Sequence, residues 1–463
     1  MLTAARNLQH AGAIDFADLR AREFARLDAQ DCAYLDCTGA ALYPESLLVN
    51  HMELLRNSIL GNPHAESPSS LASTGWVTRA RQRVLAFLDA DPAEYAVCFT
   101  ANATAAIGLV ASAFRFDRHA SLVLTADNHN SVNGMRAYAL QAGAALHTLP
   151  VNAELCLDDA EERLAAVARA TRGAGVFAYP GQSNFSGVRH PLGLVRTAQS
   201  MGFRVLLDAA ALLATTRVSL REAPADFVAL SFYKLFGYPT GLGALVARRE
   251  ALAELDRPWF SGGTVEFVSV QNVTHLMRRD ESAFEDGTAN FLAIAAVPAG
   301  LDWLEGLGVP AVARHTSGLA SQLVEALSTQ RHRNGAPVAR VYGPAASVRR
   351  GATVVFNVLD DRGDAVPYAL VEARAARARV SVRGGCFCNP GASEAAFSFV
   401  AERAARCQES HGNRRFTVAQ FAECMHGQAV GAIRASFGAP SNARDLARLV
   451  EVVESFSTRS TYT

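Results

Sequence analysis

From about residue 95 onward, short apolar runs alternate with amphipathic stretches, the rhythm of strands and helices in a mostly parallel sheet. Strands are expected at 95–99, 122–125, 145–151, 176–179, 203–207, 227–230 and 243–247, with helical patterns between them at 105–114, 157–170 and 192–201. Beyond Asn290 the pattern turns helical over 291–307 and 309–329, two stretches split at Gly308. A shorter set follows, with strands at 338–342, 353–358, 380–383 and 432–436 and helices near 367–378 and 443–456. The pattern predicts an α/β chain: a large domain over 61–308, with a mostly parallel sheet between helices, and a smaller α/β C-terminal domain over 309–463. Residues 1–60 are expected to pack against the smaller one.

A chain of 463 residues, half of them hydrophobic, can bury two cores. Its formal net charge is +0 and it has no basic stripe, so nothing invites a nucleic-acid backbone. No run of about eighteen apolar residues occurs and the first residues do not read as a signal peptide, so a soluble, cytoplasmic protein is expected. Eight cysteines in so long a chain do not make a disulfide framework, and reduced thiols are the expectation.

One residue type departs from the rest of the composition. The chain holds a single lysine, Lys234, and arginine supplies the other 43 basic side chains. Arginine can do the ion-pair and phosphate work, but a guanidinium never loses its proton, whereas an ε-amine can, and can then condense with an aldehyde. Lys234 follows the apolar run 227–230 and precedes Gly237, Gly241 and Gly243, at the carboxyl end of a buried strand, where α/β sheets keep their ligands.

Other polar residues fall on the same rim. Asp208 ends the strand at 203–207, where it would be desolvated unless a cation such as a protonated pyridine nitrogen met it; a helix N-cap is the alternative use. Thr100-Ala-Asn-Ala-Thr104 places small residues at a helix start, a phosphate cup or an ordinary capping turn, and Ser231 can add a hydroxyl. His129 follows the strand at 122–125 and can stack on a flat ring, or cap a helix. Asn184 follows the strand at 176–179 and can bond a ring oxygen, or serve a turn. In Val382-Arg-Gly-Gly-Cys-Phe-Cys-Asn-Pro-Gly391, Cys386 and Cys388 lack the further ligands that a metal needs, so no metal is expected. A nucleophilic thiolate beside Arg383 fits better.

Asn62-Pro-His64, Gln182-Ser-Asn-Phe-Ser-Gly-Val-Arg189, Leu230-Ser-Phe-Tyr-Lys-Leu-Phe-Gly237, Phe284-Glu-Asp-Gly-Thr288, Gly385-Cys-Phe-Cys-Asn389 and Ile433-Arg-Ala-Ser-Phe-Gly438 together resemble the class V branch of the fold-type I pyridoxal phosphate enzymes. Within it they resemble cysteine desulfurases and the aminotransferase-like domain of molybdenum cofactor sulfurases. The resemblance runs from about Tyr34 onward. It implies pyridoxal 5'-phosphate as cofactor, Lys234 as its Schiff-base lysine and general base, Asp208 as partner of the ring nitrogen, His129 as the stacking residue and Asn184 as the ring-oxygen contact. Ala103, Thr104 and Ser231 would hold the phosphate. Thr264, in Gly262-Gly-Thr264, would reach the site of a second subunit, which implies a homodimer. Arg434 and Arg383 would clamp the substrate carboxylate.

Cys388 aligns with the sulfur-accepting cysteine and Cys386 with an auxiliary thiol. The implied reaction takes sulfur from L-cysteine or a related amino acid, leaves alanine and stores a persulfide on Cys388 for an acceptor protein or small molecule. Two positions depart from many desulfurases: Ala211 stands where they carry glutamine and Tyr233 where they carry histidine. The chain ends soon after the helix at 443–456, so recognition of the molybdenum cofactor itself is not expected. A pyridoxal phosphate lyase, epimerase or aminotransferase with Cys388 as bystander, and a non-catalytic sulfur-relay scaffold, stay as alternatives.

Overall fold

All seven runs expected as strands of the large sheet form one sheet. Its order across is Tyr95–Thr100, Gly243–Arg248, Phe227–Ser231, Phe203–Asp208, Gly175–Pro180, Ser121–Thr125 and Ala145–Leu149. The computed structural model describes residues 14–171, 175–345, 349–411, 417–425 and 428–457; the first thirteen residues of the N-terminal segment therefore lie outside the described residues.

The five strands from Phe227–Ser231 to Ala145–Leu149 are parallel, and Gly243–Arg248 is antiparallel to both of its neighbours. Two reversals restore the direction, so Tyr95–Thr100 points the same way as the parallel set. Six strands thus end on one rim. Helices cover both faces, which is why the central strands are apolar on both sides: Phe177, Val205 and Val228 belong to one core, Ala178, Leu206 and Ala229 to the other. Ala103–Ala113 packs on the second face, and its small side chains let it lie close to the strands.

A second sheet has the order Ala339–Tyr342, Thr353–Val358, Ala432–Ser436, Arg383–Gly385, antiparallel throughout. It packs on Val309–Thr329, Tyr368–Arg377 and Ala443–Glu454 with its own apolar core. The strand expected at 380–383 is in fact two: Val380–Ser381 pairs in parallel with Ala33–Tyr34, and Arg383–Gly385 pairs with Ala432–Ser436. The chain changes partner at Val382, because the N-terminal segment takes the first half of the run and leaves the second to the sheet.

The N-terminal segment touches both halves. Ala33 and Leu35 lie in the core of the small sheet, whereas Glu45–Asn57 packs against Val297–Leu307 of the large domain. Arg20, 5% exposed, ties this segment to the C-terminal helix, donating to Asp445 at 2.7 Å and to the Pro440 carbonyl at 2.6 Å. The expectation of reduced thiols fails at one pair. Cys407 and Cys424 form a disulfide, because helices Ala401–His411 and Val418–Cys424 bring their Cα atoms to 5.9 Å. The other six cysteines are free. Among the described residues no single helix is long and apolar enough to cross a membrane.

Candidate functional site

An open cleft lies at the carboxyl rim of the large sheet. Its lining gathers Ala103, Thr104, His129, Asn184, Asp208, Ser231 and Lys234, residues up to 131 positions apart in sequence. The topology does this: Asp208 and Ser231 end neighbouring strands, while His129 and Asn184 follow two more.

Lys234 sits in the short helix Phe232–Phe236 that opens directly from the strand Phe227–Ser231. Gly237 caps that helix in the left-handed region (φ +79), and a Cβ there would lie 2.3 Å from the Tyr43 backbone nitrogen, so the lysine turn is pressed against the N-terminal segment. Burial holds the Lys234 amine below its ordinary pKa, with the nearby guanidiniums of Arg434 and Arg383 acting the same way and Asp208 and Cys388 opposing them. A depressed amine has a neutral fraction able to condense with an aldehyde or to take a proton.

Asp208 is 8% exposed and accepts from the Ala210 N–H at 3.0 Å. Among the described residues no salt bridge reaches this carboxylate, although Lys234 and His129 lie near enough to feel its charge, so a cationic ring nitrogen would supply what its burial calls for. His129 Nδ1 accepts from the Ser131 N–H at 3.1 Å, which leaves the proton of the neutral ring on Nε2. Burial lowers the pKa of this imidazole, which favours its neutral form in the cleft. Ser131 was not singled out in the sequence. It also meets the Thr104 hydroxyl at 2.7 Å and so links the stacking candidate to the phosphate cup.

At the cup, Asn102 caps Ala103–Ala113, accepting from the Ala105 N–H at 2.9 Å, and Ser231 Oγ accepts from the Ala103 N–H at 2.8 Å. The Ser231 hydroxyl proton stays free to donate, beside a helix N-terminus that favours an anion. Buried carboxylate, neutral imidazole, depressed amine and anion cup therefore fit pyridoxal phosphate residue by residue. Thr264 stands apart. It is fully buried outside the cleft, and its hydroxyl is engaged with the Ser261 carbonyl at 2.8 Å and N–H at 2.9 Å.

The cysteine loop meets the cleft through its backbone. The Cys388 carbonyl accepts from the Asn130 N–H at 2.7 Å, next to His129, and the Phe387 carbonyl accepts from Asn184 Nδ2 at 2.7 Å. Phe387 and Cys388 both hold left-handed φ angles, 56° and 57°, a strained arrangement for two non-glycine residues in succession. Asn389 fixes it: its amide donates to Asp127 at 2.7 Å and to Asn184 at 3.0 Å. Asp127, fully buried, also accepts from Ser183 at 2.7 Å and pairs with His190 at 2.8 Å. Cys386 and Cys388 themselves are exposed. The side-chain amide of Asn184 thus serves the cysteine loop, whereas the sequence offers it a ring-oxygen contact or a turn.

Arg434 and Arg383 are not among the residues lining the cleft. Both are held by Asp36, a residue that sequence reasoning missed: Arg434 Nη2 donates to it at 2.8 Å and Arg383 Nη2 at 2.6 Å.

The aminotransferase class-V family model matches residues 33–449. Molybdenum cofactor sulfurase of Oryza sativa subsp. japonica is 35% identical over 486 residues, covering 95% of this chain and 57% of that protein. The Homo sapiens protein of that name is 36% identical over 451 residues, covering 93% of this chain and 50% of the relative. The chain thus spans between half and three fifths of the length of these curated relatives. Among solved structures, the cysteine desulfurase of Thermococcus onnurineus NA1 superposes with a TM-score of 0.77 at 23% identity, covering 96% of this chain and 99% of the other. An Escherichia coli cysteine desulfurase gives 0.75 at 22%, with the same coverage. The fold is theirs, and with the family match over nearly its whole length the chain belongs to the class-V aminotransferases, enzymes of pyridoxal phosphate.

Proposed function

We propose that this protein is a cysteine desulfurase or sulfurase that moves sulfur from L-cysteine to Cys388 as a persulfide, leaves alanine and hands the sulfur to an acceptor. The observation that carries the reading is the seating of an exposed thiol at the cofactor cleft: the Cys388 carbonyl is bonded to the residue that follows His129, at 2.7 Å. The likeness in sequence to molybdenum cofactor sulfurases and in fold to cysteine desulfurases supports it.

When bound, pyridoxal phosphate supplies an electron sink for the α-carbon of an amino acid. Lys234 anchors the cofactor and, once freed, takes the α-proton at Nζ, a task suited to an amine whose pKa burial has lowered. Asp208 would pair with the ring nitrogen, His129 would stack on the ring, and Ser231 with the amino end of Ala103–Ala113 would hold the phosphate, since all line the one cleft. Arg434 and Arg383, beside the cleft rather than lining it, would receive the substrate carboxylate. Cys388 Sγ, as thiolate, bonds to the substrate sulfur while the carbon–sulfur bond breaks.

A homodimer belongs to the same proposal. The hairpin Val265–Ser269 and Thr274–Met277 follows the Gly262-Gly-Thr264 loop and exposes Phe267, Val270 and Val273, the last two about nine-tenths, an apolar tip suited to a second copy. We also propose a cytoplasmic location, where exposed Cys386 and Cys388 would stay reduced, with the Cys407–Cys424 disulfide as the exception to that thiol chemistry.

The test is to add L-cysteine to the purified yellow protein and its Cys388→Ala variant, and to measure alanine and protein-bound persulfide. Both products from the parent, with persulfide lost in the variant while the yellow colour remains, support the proposal. Undiminished turnover of an amino acid by the variant would instead favour a lyase, epimerase or aminotransferase, a reading that Ala211 and Tyr233 keep in view.

A further inference from the structure

The antiparallel register of Arg383–Gly385 with Ala432–Ser436 sets Arg383 directly opposite Arg434. Like charges so placed repel, and Arg434 is only 3% exposed. The counter-charge comes from Asp36, which enters from the N-terminal segment beside Ser436. Its Oδ1 accepts from Arg434 Nη2 at 2.8 Å, its two oxygens accept from Arg383 Nε at 3.2 and 3.0 Å, and Oδ2 accepts from Arg383 Nη2 at 2.6 Å.

The pairing is built closely. A Cβ on Gly39 would lie 2.5 Å from Asp36 Oδ2 and 2.8 Å from Arg383 Nη2, so the turn wraps the ion group with no room for a side chain. The segment then runs to the lysine turn, where the Ala41 N–H donates to the Tyr233 carbonyl at 3.2 Å. Arg434 meanwhile has donors to spare. Nη1 donates to the Asn184 carbonyl at 2.8 Å, but Nε is buried with no acceptor. A buried guanidinium N–H without an acceptor is what an incoming carboxylate would satisfy.

Two guanidiniums and the one carboxylate bonded to them carry one net positive charge, with Glu372 farther off and bonded to the Gly384 N–H at 3.0 Å. We propose that Asp36 is a specificity-determining residue: it cancels one of the two arginine charges and so fits the clamp to amino acids with a single carboxylate, against those with a second anionic group on the side chain. The inference rests on the amino-acid substrate reading above. A sulfinate or β-carboxylate sits only two bonds beyond the α-carbon, inside the field of the clamp. With Asp36 in place, that second anion finds no unpaired cation and meets the aspartate itself.

The experiment compares holoenzyme carrying Asp36, Asp36→Asn, Asp36→Glu and Arg383→Gln. It measures kcat/KM for L-cysteine and L-cysteine sulfinate, and equilibrium binding of L-alanine and L-aspartate. Asp36→Asn should raise the sulfinate-over-cysteine and aspartate-over-alanine ratios by roughly tenfold or more, the size of effect expected for one partly screened charge. Asp36→Glu should restore both ratios, and Arg383→Gln, which removes a positive charge instead, should move them the other way. Ratios that stay within about twofold in Asp36→Asn and Arg383→Gln, whatever happens to stability or overall rate, overturn the inference. The two claims fail separately. If the parent consumes neither sulfur substrate while the alanine and aspartate ratios shift, the desulfurase reading falls and Asp36 keeps its role. If the parent makes persulfide but the ratios do not move, the reverse holds. Should Asp36→Asn fail to fold, Arg383→Gln alone decides, since that side chain is half exposed.

Discussion

At the scale of the residue, Lys234 was legible because composition isolated it: a chain that uses arginine everywhere else retains an ε-amine at one position. Its depressed pKa has a consequence for the cofactor-free protein. The unfolded chain keeps this amine protonated up to its ordinary value, so between the depressed and ordinary values the unfolded state binds more protons, and stability rises with pH. Lys234→Met removes that contribution. Denaturant midpoints followed upward toward the ordinary lysine value of 10.5 should show the parent gaining on the variant as pH rises; a constant difference would contradict the burial argument. Thiol chemistry divides in the same way. Cys37 is buried with its pKa pushed up to about 12, and burial also raises Cys98 and Cys156, whereas Cys386 and Cys388 are exposed. Iodoacetamide should therefore label Cys386 and Cys388 in the native protein and reach Cys37, Cys98 and Cys156 only after denaturation, as peptide mass mapping would reveal. Asp36 and Asp127 were not legible. Their partners lie 347 and 398 residues away for Asp36, and 56, 63 and 262 residues away for Asp127, so only the register of distant strands gives either carboxylate a meaning.

At the scale of the element, the strands of the large sheet could be read because burial on both faces makes them almost wholly apolar, while the hairpin over 265–277 could not, since its apolar side chains point outward. The run at 380–383 reads as one strand because alternation says nothing about a change of partner. The cysteine loop is the element whose placement matters most for function, and Asp127 holds it through Asn389. Asp127→Asn keeps the volume but replaces a three-bond acceptor with a group that donates, so the loop should lose its seat. Persulfide formation is expected to fall by on the order of 10²-fold, the cost of misplacing a reacting group by about an ångström, while the yellow cofactor content stays level. Full persulfide yield with the variant would mean that the loop is held by its backbone bonds alone.

At the scale of the whole molecule, the N-terminal segment is what sequence reading understated. It was expected to pack beside the small domain, and in fact it supplies a strand pairing, the Asp36 counter-charge and the wall behind the lysine turn. Its hold on the C-terminal helix runs through Arg20 and Asp445, whose side chains are 6% and 3% exposed. Arg20→Met leaves a buried carboxylate without its partner and should cost about 3 kcal/mol or more. Burial raises the pKa of Asp445 already, and without Arg20 it rises further, so protonation relieves the penalty first there. The deficit measured by urea unfolding should shrink as pH falls toward about 5; a deficit independent of pH would mean that lost packing, not charge, is responsible.

The account as a whole turns on Lys234 binding the cofactor aldehyde covalently. The sharpest measurement is borohydride reduction of the yellow protein followed by peptide mapping. Because the chain has one lysine, the account predicts a single pyridoxyl label, on the peptide containing Phe232-Tyr-Lys-Leu-Phe236, and none in Lys234→Ala. A label found elsewhere, or a protein that never takes up the coenzyme, would contradict it.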